Sequence, residues 1–108
     1  MSESIEEITM RIEDAIKAEM RAHTNEEFFV THYGANDIHP RHLVYWIVVR
    51  TDSEKQRLGN DKALLRKLRG LLDKHEYPVE GRSGVHIGFE SKETVDREAG
   101  GNYYAYWK

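Results

Sequence analysis

Residues 43–49 constrain the fold of this chain more than any other segment, because their pattern predicts a β-strand that is apolar on both faces. Apolar side chains alternate across the strand, with one face formed by Leu43, Tyr45, Ile47 and Val49 and the other by Val44, Trp46 and Val48. A strand of this kind lies in the middle of its sheet, or has its second face covered. The sequence therefore predicts a sheet organised around this strand.

Two amphipathic helices are predicted to pack on one face of that sheet. Their apolar residues recur at steps of three and four, namely Ile5, Ile8, Ile12, Ile16 and Met20 in the first helix and Leu64, Leu68, Leu71 and Leu72 in the second. Ser4 and Glu7 have the spacing of a capping box, which predicts a first helix over residues 4–22. Asn60 is a candidate N-cap for the second helix, which we expect to end near His75, before the Tyr-Pro pair that follows.

The remaining segments predict an αββαββ order. Strands are expected at residues 27–33, 42–51, 85–90 and 102–108. Residues 51–59 are expected to form a short helical turn, residues 81–84 a loop, and residues 91–99 a short helix or wide turn. We therefore expect one α+β domain over residues 1–108, a two-layer sandwich in which a four-stranded, mainly antiparallel sheet carries two helices on one face. The other face of the sheet would be open.

The composition indicates in which cellular compartment the protein works and which chemistry its side chains can perform. The chain has 108 residues and no cysteine, so neither disulfides nor thiolate chemistry is expected. The acidic start lacks the basic and apolar regions of a secretory signal, and the longest apolar run, residues 43–49, is too short to span a bilayer. These features predict a cytoplasmic protein without membrane association.

Charge is distributed unevenly along the chain. Residues 1–27 hold eight acidic and three basic side chains, whereas residues 50–74 hold eight basic and four acidic ones. A nucleic-acid-binding domain would show one strongly basic face, and here acidic residues interrupt the positive stretch. The pattern favours two solvated helix faces of opposite sign and argues against a nucleic-acid partner.

An aromatic patch on the open sheet face is the leading functional prediction. If the face with Tyr45 packs on the helices, Trp46 points away from them, and we assign Tyr104 and Tyr106 of the last predicted strand to the same side. Tryptophan and tyrosine bury large areas with few rotatable bonds, so such a patch favours a protein partner or a homodimer. The small size and acidic charge are also those of bacterial immunity proteins and other inhibitors. We therefore expect a noncatalytic binding protein.

A histidine-lined pocket is the alternative prediction. His39, His42 and His86 could line a small-molecule pocket, or a small active site, where the loop after the first strand meets the third strand. Glu90 or Asp37 could then orient one of the histidines as a general base. A metal site needs three or four converging ligands, and the His-x-x-His spacing supplies two. The sequence has no phosphate-binding loop, nucleophile elbow or cysteine, so no metal, cofactor or catalytic residue is predicted.

Overall fold

A computed structural model of the chain describes residues 4–34 and 38–102. Within these residues lie five α-helices, three β-strands and one short 3-10 helix. In chain order the elements are α1 (Ile5–Met20), β1 (Phe29–Tyr33), the 3-10 helix (Pro40–His42), β2 (Val44–Val49), α2 (Asp52–Gly59), α3 (Lys62–Lys74), α4 (Val79–Arg82), β3 (His86–Ser91) and α5 (Lys92–Ala99). Strand β2 is central, as its two apolar faces predict.

The described residues form a three-stranded mixed sheet in the order β1-β2-β3. Strand β1 runs antiparallel to β2, and β3 runs parallel to it. A parallel pair needs a long crossover, and α2, α3 and α4 all lie between β2 and β3 in the chain. The predicted four-stranded, mainly antiparallel sheet with two helices is therefore wrong. The predicted last strand starts at Asn102, which is not in a strand, and residues 103–108 lie outside the described residues.

Two of the additional helices start directly after a strand, at segments where a turn or a short helix was expected. At α2, the Thr51 hydroxyl accepts a hydrogen bond from the amide of Glu54 at 3.3 Å. At α5, the Ser91 hydroxyl accepts from the amide of Thr94 at 3.1 Å. Each hydroxyl satisfies an amide that lacks a partner in the first helical turn, so both strands lead directly into capped helices.

The two predicted long helices are confirmed, with small changes at their ends. Ser4 caps α1, because its hydroxyl accepts a hydrogen bond from the amide of Glu7 at 3.2 Å. Helix α3 is capped by Asp61 and not by Asn60, since the Asp61 carboxylate accepts from the amide of Leu64 at 3.0 Å. Across the part of the chain that the structure describes, no helix has both the length and the apolarity to cross a membrane.

The predicted loop at residues 81–84 overlaps α4, which packs against the 3-10 helix. Gly81 allows this contact, because a Cβ atom at that position would overlap with Pro40. The buried Tyr77 stabilises the same contact between α4 and the 3-10 helix, because its hydroxyl donates to the carbonyl of Pro40 at 2.6 Å. The 3-10 helix that follows β1 is therefore held in a fixed position.

The core lies between the helices and the sheet face that carries Tyr45. Buried side chains from α1, the start of β2, β2 itself and α3 form its centre, including Ile12, Ile16, Met20, Leu43, Tyr45, Ile47, Leu64, Leu68 and Leu72. The hydroxyl of Tyr45 donates to the carbonyl of Thr9 in α1 at 2.7 Å. Burial raises the pKa of Tyr45 above its ordinary value, so the hydroxyl stays protonated and joins the sheet to α1.

Replacing Tyr45 with phenylalanine should lower the free energy of unfolding by about 0.5–1.5 kcal/mol. The ring keeps its packing, but the hydrogen bond to the carbonyl of Thr9 is lost. Urea denaturation followed by circular dichroism measures the change. A variant as stable as the wild type would show that this bond contributes nothing to the packing of α1 on the sheet.

Candidate protein-binding face

Trp46 lies on the sheet face opposite to Tyr45, as the strand pattern predicts. In the sheet register it pairs with Thr31 of β1 and Gly88 of β3. Gly88 leaves room for the indole, because a Cβ atom there would lie 2.8 Å from the ring of Trp46. The ring of His86 meets the indole edge-on, with ring centres 5.0 Å apart. The indole is therefore held across β3.

Two aromatic residues of β1 join Trp46 on this face. The antiparallel register places Phe29, Thr31 and Tyr33 on the same side as Trp46. Phe29 is 44% exposed and Tyr33 is 42% exposed. The indole nitrogen of Trp46 donates to the hydroxyl of Tyr33 at 3.2 Å. We call Phe29, Tyr33, Trp46 and His86 the aromatic face.

Phe29 and Tyr33 are functional candidates that the sequence pattern does not assign to this face. The connection over residues 34–43 is too long to fix the register of the β1-β2 hairpin, and a slip of one residue would move both rings to the other side. The signal present in the sequence is Gly88, since a glycine inside a strand often marks the close approach of another group. Here that group is the indole of Trp46.

The sheet face that carries Trp46 is exposed at some positions and covered at others, so it is only partly open. Val48 and Glu90 also lie on it and are 2% and 4% exposed. The Glu90 carboxylate forms an ion pair with the Lys55 ammonium group at 2.7 Å, which compensates for its burial. Tyr104 and Tyr106, which are predicted for the same face, lie outside the described residues.

The three histidines of the alternative prediction do not share one environment. The rings of His39 and His42 lie 6.2 Å apart, and Nδ1 of His39 accepts a hydrogen bond from the amide of Arg41 at 3.1 Å. His86 packs on Trp46, and among the described residues no ring contact joins it to the other two histidines. The structure thus brings two of the three histidines together and uses one of them to cap the 3-10 helix.

His32, on the helix side of the sheet, is a histidine with a buried carboxylate partner. Its Nδ1 lies 2.8 Å from Oε1 of the buried Glu13, and its ring packs against Tyr45 with ring centres 5.8 Å apart. The pair supplies a buried carboxylate with the partner that burial requires. Of the two carboxylates predicted as histidine partners, Glu90 forms the ion pair described above and Asp37 lies outside the described residues.

Polar residues cluster where the parallel strands β2 and β3 end and α2 and α5 begin. Helix N-termini at such a position are the places where α/β proteins bind anions. Here carboxylates of the chain itself occupy the first turn of α2. Glu93 accepts a hydrogen bond from the amide of Asp52 at 2.7 Å. Glu26 accepts from the amides of Arg50 and Thr51 at 2.9 and 3.1 Å, so these amides are already satisfied.

Asp52 connects the start of α2 to α5. Its carboxylate accepts hydrogen bonds from the hydroxyl of Ser91, from the hydroxyl of Thr94 at 2.6 Å and from the guanidinium of Arg97 at 3.0 Å. These bonds, first of all the one from Ser91, hold the pKa of Asp52 well below its usual range. The two helices that follow the parallel strands are thereby joined through one carboxylate.

Glu54, in the first turn of α2, is held in a similar way. The guanidinium of Arg57 donates to it at 2.6 Å, and the hydroxyl of Thr24 donates to its other oxygen. These hydrogen bonds lower the pKa of Glu54 from 4.5 to about 2. Because the bonds exist only in the folded state, they make the stability of the protein depend on pH.

Lowering the pH from 4.5 to about 2 should reduce the free energy of unfolding. Within this range the unfolded chain binds more protons than the folded one at Glu54, so acid favours unfolding. Replacing Glu54 with glutamine should flatten this slope, whereas the same change at the exposed Glu80 should leave it unaltered. Urea denaturation at a series of pH values measures the slope. An unchanged slope in the Glu54 variant would contradict the hydrogen bonding described here.

Adding one methyl group at residue 88 should displace the indole of Trp46. In Gly88→Ala the new atom would lie 2.6 Å from Nε2 of His86 and 2.8 Å from the indole, so both side chains have to give way, and we expect the indole to rotate towards solvent. The chain has two tryptophans, and a Trp107→Phe background leaves only Trp46 to be observed. We expect a red shift of its fluorescence with an unchanged far-ultraviolet circular dichroism spectrum. An unshifted maximum would mean that His86 or β3 moves and the indole stays.

Two further findings concern the chemistry and the relationships of this site. Across residues 4–34 and 38–102, no group of three or more histidine, aspartate or glutamate side chains is placed to hold a metal ion. Comparison of the chain with protein-family models, with curated proteins and with solved structures finds no match.

Proposed function

We propose that this protein is a noncatalytic binding protein that contacts another protein, or a second copy of itself, through the aromatic face. The observation that carries the proposal is the exposure of Phe29 and Tyr33 beside Trp46 on one side of the sheet. Two large exposed side chains on the same sheet face as Trp46 are informative, because apolar residues exposed singly are common and groups of them on one face are not. Tryptophan and tyrosine are also the residues that most often dominate the energy of protein interfaces.

The fixed orientation of Trp46 supports a binding role. Trp46 is already held by Gly88, by the ring of His86 and by the hydroxyl of Tyr33, so its binding would cost little side-chain entropy. A fully buried aromatic side chain covers roughly 150–250 Å². Because Phe29 is 44% and Tyr33 is 42% exposed, these two rings together still offer roughly 130–220 Å² to a partner. A standard interface takes about 800 Å² from each partner, so neighbouring polar groups would complete the contact.

A concavity beside Phe29 supplies such neighbours. It has a volume of about 330 Å³ and is lined by Glu27, Phe28, Phe29, Val48, Val49, Arg50 and Lys92. Its floor is apolar and three of its lining residues are charged, an arrangement that matches the apolar centre and polar rim of protein interfaces. We infer that a side chain of the partner enters this concavity next to the ring of Phe29.

The proposed setting is the cytoplasm of a bacterium. The absence of cysteine in a chain of 108 residues fits a reducing compartment. The small size and the net charge of -3 fit the immunity proteins and other inhibitors, which act by occupying a surface of another protein. This part of the proposal depends on composition and is independent of the geometry of the face.

Site-specific photo-crosslinking in the native cells tests the proposal. A photo-reactive amino acid at position 29 should form one discrete covalent adduct, and adding Trp46→Ala should reduce its yield at least tenfold. The same amino acid at position 79 is the matched control, because Val79 is 73% exposed but lies on α4. The mass of the adduct distinguishes a foreign protein from a second copy of the chain.

Two results would contradict the proposal. One is the absence of a discrete adduct at position 29. The other is an adduct whose yield does not depend on Trp46. A third variant, His39→Ala, separates the alternative of a histidine-lined pocket from this proposal, because the adduct should form as in the wild type when this histidine is replaced. Circular dichroism of each purified variant establishes that it is folded.

A further inference from the structure

A groove with a basic rim runs along α3 where this helix meets α4. It has a volume of about 520 Å³ and is lined by Leu65, Arg66, Arg69, Gly70, Leu72, Asp73, Arg82 and Ser83. Arg69 is fixed in place, because its guanidinium donates to the carbonyls of Val85 and Arg82, each at 2.7 Å. Arg66 is exposed on the same helix. Arg82 forms an ion pair with Asp73 at 3.2 Å, so the groove combines an apolar floor with the positive charges of Arg66 and of the immobilised Arg69.

Gly70 lies in this groove, and the fold itself does not require a glycine there. A Cβ atom at residue 70 would find open space within 4 Å. The residue lies inside α3, where glycine lowers helix stability compared with alanine. A glycine in a helix interior gives another molecule close access to the backbone. Its presence in the floor of the groove is explained if a second surface approaches α3 at this point.

A surface of mainly opposite charge is present on the outer side of α1, where Arg11 is the one basic residue beside the acidic ones. Met10 is 48% exposed there, an unusual position for a large apolar side chain on a helix with a polar outer face. Glu6, Glu7 and Asp14 are exposed and lie three or four residues from Met10, so they surround it on the same side of the helix. The outer side of α1 is thus an apolar side chain with an acidic rim.

We propose that α1 of a second copy of this chain docks in the α3 groove, with Met10 against Gly70 and the acidic rim against the arginines. Helices α1 and α3 are neighbours in the same layer, since Lys67 and Glu19 form an ion pair at 3.2 Å. A two-fold axis between two copies would therefore form the contact twice, which closes the dimer. The charges set partner choice and register, and burial of the methionine supplies the apolar contact.

Charge reversal tests this dimer. The solution mass of the full chain is measured by light scattering over a concentration series at low salt, where we expect the mass to rise from one copy to two. Arg66→Glu and Glu7→Arg should each raise the dissociation constant at least tenfold, and the two changes together should restore it. Arg41→Glu makes the same charge change on the 3-10 helix, at an exposed residue outside both proposed surfaces, and should leave the dimer intact.

A second variant addresses the groove without changing its charge. Gly70→Leu should weaken the dimer at least tenfold and raise the melting temperature of the monomer, because it fills the groove and removes a helical glycine. A wild type that stays monomeric at low salt would overturn the proposal, and so would a dimer that is insensitive to Arg66→Glu. A dimer weakened by Trp46→Ala but not by Arg66→Glu would assign self-association to the aromatic face instead.

Discussion

Strand β2 has to be buried on both of its faces, and the other elements are arranged around that requirement. One face packs on α1 and α3 through Tyr45 and Ile47, and apolar burial of this kind is the main favourable contribution to folding. The other face carries Trp46 and Val48, which cannot share that core. One face of β2 is therefore fully covered by helices, and the other is covered only in part. The aromatic face lies on the partly covered side.

Local patterns in the sequence predict the elements well and their arrangement poorly. The apolar steps of α1 and α3, the alternation of β2 and the cap at Ser4 each depend on a few neighbouring residues, so one sequence suffices to find them. The direction of β3 depends on whether residues 50–85 cross over the sheet or turn back beside it. No residue in that segment decides this alone, and the strong caps at Thr51 and Ser91 are consistent with either path.

In the candidate site, too, local patterns predict some features and fail for those that depend on how the elements are arranged. Trp46 can be assigned to a face because β2 alternates strictly, whereas Phe29 and Tyr33 need the register between two strands joined by a long connection. The roles of the histidines are harder still to predict from the sequence, because they depend on contacts between distant segments. His86 next to Trp46, and His32 next to Glu13, are pairs separated by many residues in the chain.

The two surfaces proposed for binding differ in their physical basis. The centre of the aromatic face consists of ordered rings and its charges lie at the rim, in the neighbouring concavity, so salt should affect association there less than at the α3 groove. The α3 groove and the acidic side of α1 are opposite in charge, as the uneven distribution between residues 1–27 and 50–74 already indicates. Contacts formed there gain specificity from charge and weaken as salt rises.

The hydrogen bonds of Asp52 also determine whether α5 can detach from the rest of the fold. This helix has eight residues, which is too few to be stable in isolation. Its first turn is bonded to Asp52 through Ser91 and Thr94, and only Thr94 and Val95 are buried. Opening of that cluster would release α5 as a unit while the strands stay paired. Helix α5 would then exchange its amide protons well before the core beneath β2.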